Sequence, residues 1–424
     1  MRYLVGVDTG GTFTDFTLLD THTQNLVFAK HPSTPNDPSE GFLAGLEGLL
    51  ADVGSDPSEI AALSHGSTVA INALLQDRVD DIGMVTTAGF RDVLELGRQQ
   101  RPHHYDLDVK KPRPLAPRQL RLEIRERIDA SGGVAIPLNE NDIKAAADIL
   151  QEANVSAVAV CFLHAYRNPI HEKRCRAILR KLLPRVEICI SSDVLRELRE
   201  YERFSNTTLN AALLPIMRRY LGNLRRKVKK GGLQVKPRIS TSLGGVTSFA
   251  AGEQRPVDTL FSGPSAGVVG ASVIAQQSGV NNFITFDVGG TSTDVCLVRE
   301  GVPLVSRERR VAGWPVISPS LDVHSIGTGG GSLLWIDEGG FLRIGPASAG
   351  ANPGPACYGL GGNEPTVTDA LLVLGRLKPG PYAGGAVSLD ESRAKTAVTG
   401  GVAAMLGIDL DAAASGIIRL LEQN

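Results

Sequence analysis

An excess of charge of either sign is missing from this sequence: 44 Lys and Arg stand against 45 Asp and Glu, a net charge of -1 over 424 residues. That balance leaves no broad basic surface for nucleic acid. The one basic run, Arg218-Arg219 and Arg225 to Lys230, falls at the end of a predicted helix, where cations complement the helix dipole. Paired cysteines are missing as well. The five, Cys161, Cys175, Cys189, Cys296 and Cys357, contain no Cys-x-x-Cys, so neither a zinc knuckle nor a disulfide framework is indicated and a reducing compartment fits. No run of about 18 uninterrupted apolar residues exists to span a membrane. The first apolar run is broken by Gly6 and Asp8 and is not a signal peptide, so the expectation is a cytoplasmic protein. No Ser-His-Asp order and no Cys in a nucleophilic setting stands out.

What is present is enough apolar sequence, 42%, for two or three ordinary domains. Helix and strand signals alternate, which predicts α/β layering with mixed sheets. Strands are expected at 3–7, 16–19, 60–63, 82–86, 121–128, 155–162 and 186–191, with helices at 38–53, 69–75, 139–153 and 169–182. The Pro-, Arg- and Lys-rich stretch 98–121 reads as an extended excursion lining a cleft or partner surface. After the cap candidates Ser192 and Asp193 a helical pattern runs through Pro215 to about Lys230 and connects two lobes, 1–192 and 193–424. Between 327 and 362, twelve of 36 residues are glycine, so backbone shapes this region.

One turn occurs twice. Asp8-Thr9-Gly10-Gly11-Thr12-Phe13-Thr14-Asp15 and Asp287-Val288-Gly289-Gly290-Thr291-Ser292-Thr293-Asp294 agree at six of eight positions. Dinucleotide and P-loop fingerprints need a strand followed by a helix. Here a strand-like run follows each turn and no Gly-Lys pair occurs, so each is a hairpin tip. Adjacent glycines bare backbone N–H groups that cradle phosphate oxygens, and threonine hydroxyls add donors. An aspartate opening the turn can hold a hydrated Mg2+ that bridges phosphates. Two copies would place two such sets on opposite sides of one polyphosphate.

The paired turns resemble the two phosphate loops of the actin, Hsp70 and sugar-kinase superfamily. That likeness implies an actin-like ATPase fold: ribonuclease-H-like lobes with mixed sheets and duplicated phosphate-binding hairpins. Gly263-Pro264-Ser265-Ala266-Gly267 is similar to the superfamily's connecting helix. More specifically, VDTGGTFTD, SHGSTVAINALL, GRQQRPHHYDL, REYERFSNTTLNAALLPIM, FSGPSAGVVGA, FDVGGTSTDV, DVHSIGTGGGSLLWID, RIGPASAGANPGPACYGLGG and PTVTDALLVLG resemble the hydantoinase A / oxoprolinase family along the whole chain. The resemblance implies an N-terminal family lobe over 1–192 and the hydantoinase A core over 193–424. It implies ATP-dependent hydrolysis of a cyclic amide of the hydantoin, N-methylhydantoin or 5-oxoproline type, with ATP and Mg2+ as cofactors. The alternatives are the ATP-using subunit of an acetone or acetophenone carboxylase, or an actin-like nucleotide-binding module without turnover. In the family the polypeptide continues past the segment resembling Ala413–Asn424 toward a glycine-rich adenosine-side block. A continuation, or a hydantoinase B-like partner chain or domain, is therefore expected to complete the pocket in an oligomer.

On this reading Gly10, Gly11, Thr12 and Thr14 with Gly289, Gly290, Thr291 and Thr293 hold phosphates. Asp8 and Asp287 are the catalytic pair and hold Mg2+ through water. Asp15 and Asp294 join the phosphate-binding sets, chiefly by bracing their hairpins. His65, Ser67 and Thr68, between a strand and a helix, are candidates for substrate or γ-phosphate contact, or for capping. Arg98, with Arg101, His103 and His104, belongs to the excursion as a cleft-lining candidate or solvated loop. Asp322 and His324 share one face of a strand, where they bind a metal, polarise a substrate or hydrogen-bond each other.

Overall fold

The computed structural model describes all residues except 1, 11–12, 35–36, 100–104, 106–107, 109–110, 291, 351, 383–384, 386 and 424. The chain begins as a meander. Strands β1 (Tyr3–Thr9), β2 (Phe13–Asp20) and β3 (Leu26–Pro32) pair antiparallel. In β1 the odd positions Tyr3, Val5 and Val7 are buried while Leu4 is exposed, the period of two expected of a sheet with one face on the core. Helix α1 (Pro38–Asp52) starts where Asp37 accepts a hydrogen bond from the Ser39 N–H and Pro38 fills the first turn. It lays Phe42, Leu46, Leu49 and Leu50 on the sheet. Strand β4 (Ile60–Ser67) then pairs parallel with β1, Asp8 opposite Gly66, and α2 (Val69–Leu75) follows.

A second, all-parallel sheet is built from β5 (Gly83–Thr87), β6 (Arg121–Ile124), β7 (Ala157–Cys161) and β8 (Glu187–Ile190), in the order β8-β7-β5-β6. Helices α3 (Glu140–Glu152) and α4 (Ile170–Leu182) lie between its strands in sequence. The far end of the expected excursion is no loose loop: Leu115 and Ala116 are buried, and the enclosed Arg121 guanidinium donates to Ala116 O at 2.7 Å and pairs with Glu95 at 2.9 Å.

The long helix departs from expectation at its start. Ser191–Val194 form a single helical turn, and the continuous helix α5 (Glu200–Lys230) begins only after Arg199, which sits at φ 85°. Residues 195–199 are non-helical, Leu195 being extended at φ -143°, ψ 101°, and periodicity alone does not reveal the break. Beyond α5, strands β9 (Arg238–Ser240) and β10 (Val246–Ser248) return to the first sheet, whose order is β10-β9-β4-β1-β2-β3. That sheet therefore takes strands from both sides of the expected division at 192/193.

Helix α6 (Ser262–Gln277) leads to the second copy of the repeat, β11 (Phe283–Val288) and β12 (Thr293–Arg299). Strand β13 (Val302–Pro303) pairs with β12, and β14 (Val305–Val311) with β15 (Trp314–Leu321) forms a separate ribbon. Strand β16 (Val323–Ile326) returns to pair with β12. One continuous apolar core runs from Tyr3 through α5 to Val311 and Val316. All five cysteines are free and buried. Among the described residues no single helix is long and apolar enough to cross a membrane.

Candidate active site

The sequence repeat is a repeat in structure. In the first hairpin Asp8 pairs across the ladder with Asp15 and Thr9 with Thr14; in the second, Asp287 pairs with Asp294 and Val288 with Thr293. Each tip is closed by the same bond, Gly10 N–H to Phe13 O at 3.0 Å and Gly289 N–H to Ser292 O at 2.9 Å. A side chain at either glycine would press on that carbonyl, at 3.1 and 3.2 Å. Gly11, Thr12 and Thr291 lie outside the described residues, as do Arg101, His103 and His104.

Asp8 is the unusual group. Its Oδ1 is enclosed and accepts no hydrogen bond from the described residues. Two glycines from distant parts of the chain make room for it. A methyl group on Gly66 of β4 would lie 2.6 Å from Oδ1, and one on Gly263 in the first turn of α6 would lie 3.1 Å from it. Removal from water pushes the carboxyl up to about 6, and the neighbouring charges of Asp15 and then Asp287 push the same way, against Lys30. The second hairpin's aspartate is thus within electrostatic reach of the first's. Asp287 itself is exposed.

The remaining candidates separate into those at the tips and those away from them. The Thr14 and Thr293 hydroxyls are buried behind their tips, Thr14 with Ser33 Oγ at 3.0 Å and Thr293 donating to Thr328 O at 2.8 Å. Asp15 pairs with Lys30 at 2.5 Å on the surface. Asp294 accepts from Ser325, while desolvation and Asp287 hold its carboxyl above the usual range. Behind the second tip the glycine-rich chain packs backbone to backbone, Gly330 N–H to Gly289 O at 3.0 Å and Gly331 N–H to Gly290 O at 2.7 Å. Gly290 faces open space.

His65 is fully buried, its Nε2 2.6 Å from Tyr220 Oη and its ring packed against Phe42 and Phe249. Burial pushes that imidazole down to about 4, so it is neutral in the core. Ser67 and Ser262 exchange hydrogen bonds at 3.2 and 3.0 Å, locking the end of β4 to the start of α6. The Thr68 hydroxyl donates to Thr9 O at 3.2 Å and supports the end of β1. Arg98 forms a two-pronged pair with Glu202 of α5 at 2.7 and 2.6 Å. Asp322 and His324 do meet, at 3.5 Å, beside the second hairpin. No group of three or more His, Cys, Asp or Glu able to hold a metal occurs among the described residues.

Sequence reasoning missed the clasp of Gly66 and Gly263 around Asp8, and it missed Arg309. This half-buried guanidinium stacks on Phe261 at 4.1 Å, and the charges of Asp322 and Asp294 partly offset its desolvation. Two equivalent glycine hairpins, one carrying a desolvated carboxylate that feels the charge of the other's aspartate, are an arrangement that can receive a cation and the phosphate oxygens around it.

Comparison with known proteins identifies the family. The profile described as hydantoinase/oxoprolinase matches residues 203–424, and that of the hydantoinase/oxoprolinase N-terminal region matches 4–183. The chain belongs to the hydantoinase/oxoprolinase family. Among its relatives is caprolactamase subunit alpha of Pseudomonas jessenii, 40% identical over 99% of this chain and 61% of the relative. The crystal structure of that ATP-dependent caprolactamase superposes with a TM-score of 0.83 at 39% identity, covering 99% of this chain and 62% of the other. Acetophenone carboxylase gamma subunit of Aromatoleum aromaticum is 37% identical over 99% of this chain and 59% of its own length. The nucleotide-free structure of an ATP-dependent acetone carboxylase superposes with a TM-score of 0.88 at 29% identity, covering 100% of this chain and 62% of the other. This family member therefore spans about three-fifths of the length of the relatives it matches.

Proposed function

We propose that this chain is the phosphate-binding part of an ATP-dependent enzyme that activates a cyclic amide for hydrolysis, in an actin-like arrangement of two lobes. The observation that carries the reading is the desolvated Asp8 oxygen at the first of two equivalent hairpins, which accepts no hydrogen bond from the described residues and feels the charge of Asp287 in the second.

The residues present fit a divalent cation: the desolvated carboxylate of Asp8 and the exposed one of Asp287 suit Mg2+, which keeps most of its waters and takes phosphate oxygens. When bound, it would neutralise charge on the transferring phosphoryl group. The hairpin backbones orient the polyphosphate, and the glycine-rich segment behind the second tip fixes that orientation without occupying it. An amide carbonyl is a poor electrophile because its nitrogen donates into it. Transfer of the γ-phosphoryl from ATP to the amide oxygen, with ADP leaving, turns that oxygen into a leaving group. Water then adds at carbon, the ring C–N bond breaks with nitrogen leaving as the amine, and a second water releases phosphate from the resulting acyl phosphate to give the carboxylate. The caprolactamase relative supports the amide substrate class. The acetone carboxylase likeness supports a second reading, in which a ketone-derived enolate oxygen or bicarbonate takes the phosphoryl group.

The test joins this chain with the remaining polypeptide and a hydantoinase B-like partner and measures ADP release. ADP release that rises with a lactam or hydantoin supports the first reading, and a rise only when ketone and bicarbonate are both present supports the second. Asp8→Asn and Asp287→Asn are each expected to lower turnover by on the order of 100-fold or more. Unchanged turnover in either variant removes that aspartate from the mechanism.

A further inference from the structure

Strands β1 and β11 are equivalent in the repeat, yet their surroundings differ. β1 has β2 on one side and β4, parallel, on the other, whereas among the described residues β11 pairs with β12 alone. In β1, Val5 and Val7 are 3% and 4% exposed, while Ile284 and Phe286 at the matching positions of β11 are 64% and 69% exposed. The adjacent strand repeats the contrast, Leu18 at 0% against Leu297 at 40%. Along the open edge, a groove of about 640 Å3 runs between β11 and the flank of α6, lined by Ala271, Ile274, Phe283, Phe286 and Asp287 among others. A long apolar edge of this kind is a template for another strand.

We infer that this groove seats a helix–strand segment of polypeptide from outside residues 1–424, of the kind the longer relatives carry beyond their matched part. The first hairpin supplies the geometry. The incoming strand runs parallel to β11, as β4 runs parallel to β1, and carries a small residue opposite Asp287, as Gly66 stands opposite Asp8. Its helix covers Ile284, Phe286 and Leu297, as α1 covers the first hairpin, where Phe42 meets Phe16 edge-on at 6.1 Å. A second copy of this chain does not fit, because two identical edges related by a twofold axis pair antiparallel. The length is available, since the matched part makes up 61% of the caprolactamase alpha subunit. This inference rests on the internal repeat and stands whether or not the chain uses ATP.

The experiment compares the chain alone with a chimera carrying, after residue 424, the unmatched polypeptide of the caprolactamase alpha subunit, by hydrogen exchange of the 284–288 amides. At least 100-fold slower exchange in the chimera is expected. Ile284→Lys or Phe286→Lys should abolish that protection while leaving the melting temperature of the chain alone unchanged. Phe28→Lys, at the 71%-exposed position on the outer strand β3, should leave it intact. Equal exchange in chain and chimera, with the appended polypeptide itself protected, overturns the inference. So does protection in the chain alone accompanied by sedimentation as a dimer, which makes a second copy the occupant.

Discussion

Asp8 shows how a single residue can be held against its own preference. Its carboxyl is raised from 3.8 to about 6, chiefly by desolvation, so between those values the folded chain binds a proton that the unfolded chain releases. Stability from this group therefore falls as pH rises through roughly 4 to 6 and stays low above that window. A shift of this size corresponds to about 2–3 kcal/mol at neutral pH. Asp8→Asn, isosteric and uncharged, is expected to make the ligand-free protein more stable by about that amount at pH 7.5, with the gain vanishing by pH 4. Urea unfolding at the two pH values measures it, and an Asn variant no more stable than the parent at pH 7.5 refutes it. Asp8 stands out as a candidate in the sequence because the turn is repeated. Its clasp by Gly66 and Gly263 is not, because those contacts join segments far apart in the chain. The burial of His65 was legible in principle: it lies two residues after Leu63 on the same strand, and both side chains point into the core.

At the scale of elements, the hairpins, most helices and their order follow from periodicity and turn chemistry. The break over residues 195–199 escaped it because Leu-Arg-Glu-Leu-Arg contains no glycine or proline to mark it. The glycine-rich stretch is legible only as a density, and the structure separates its glycines by what surrounds them. A methyl group on Gly329 would sit 2.6 Å from Gly289 O and 2.8 Å from Ser292 N, both backbone atoms of the second tip, whereas one on Gly327 would meet nothing within 4 Å. Backbone cannot step aside as a side-chain end can. Gly329→Ala is therefore expected to destabilise the second hairpin by about 1–3 kcal/mol and to weaken nucleotide affinity at least tenfold. Gly327→Ala should do neither. Thermal unfolding and nucleotide titration of the pair check this, and equal behaviour of the two variants would show that the tip is not held by that close approach.

At the scale of the molecule, the two family profiles meet between residues 183 and 203, close to the division expected at 192/193. A boundary between sequence families is a statement about descent, and whether it is also a folding boundary depends on what crosses it. Here the spine of the core crosses it. Helix α5 buries seventeen of its 31 residues, among them Phe204, Leu213, Met217, Tyr220 and Leu224. Tyr220 closes over His65 of β4, and β9 extends the same sheet from beyond the helix. Residues 1–192 alone would thus present to water the faces of β7, β8 and α1 that α5 covers and the His65 ring under Tyr220, together with the unpaired edge of β4. The expected outcome for that fragment is secondary structure without a cooperative thermal transition, and binding of a hydrophobic dye that the 424-residue chain does not bind. Calorimetry with dye fluorescence distinguishes the cases. A sharp transition in the 1–192 fragment would mean that this part folds independently and that α5 is laid onto a finished surface.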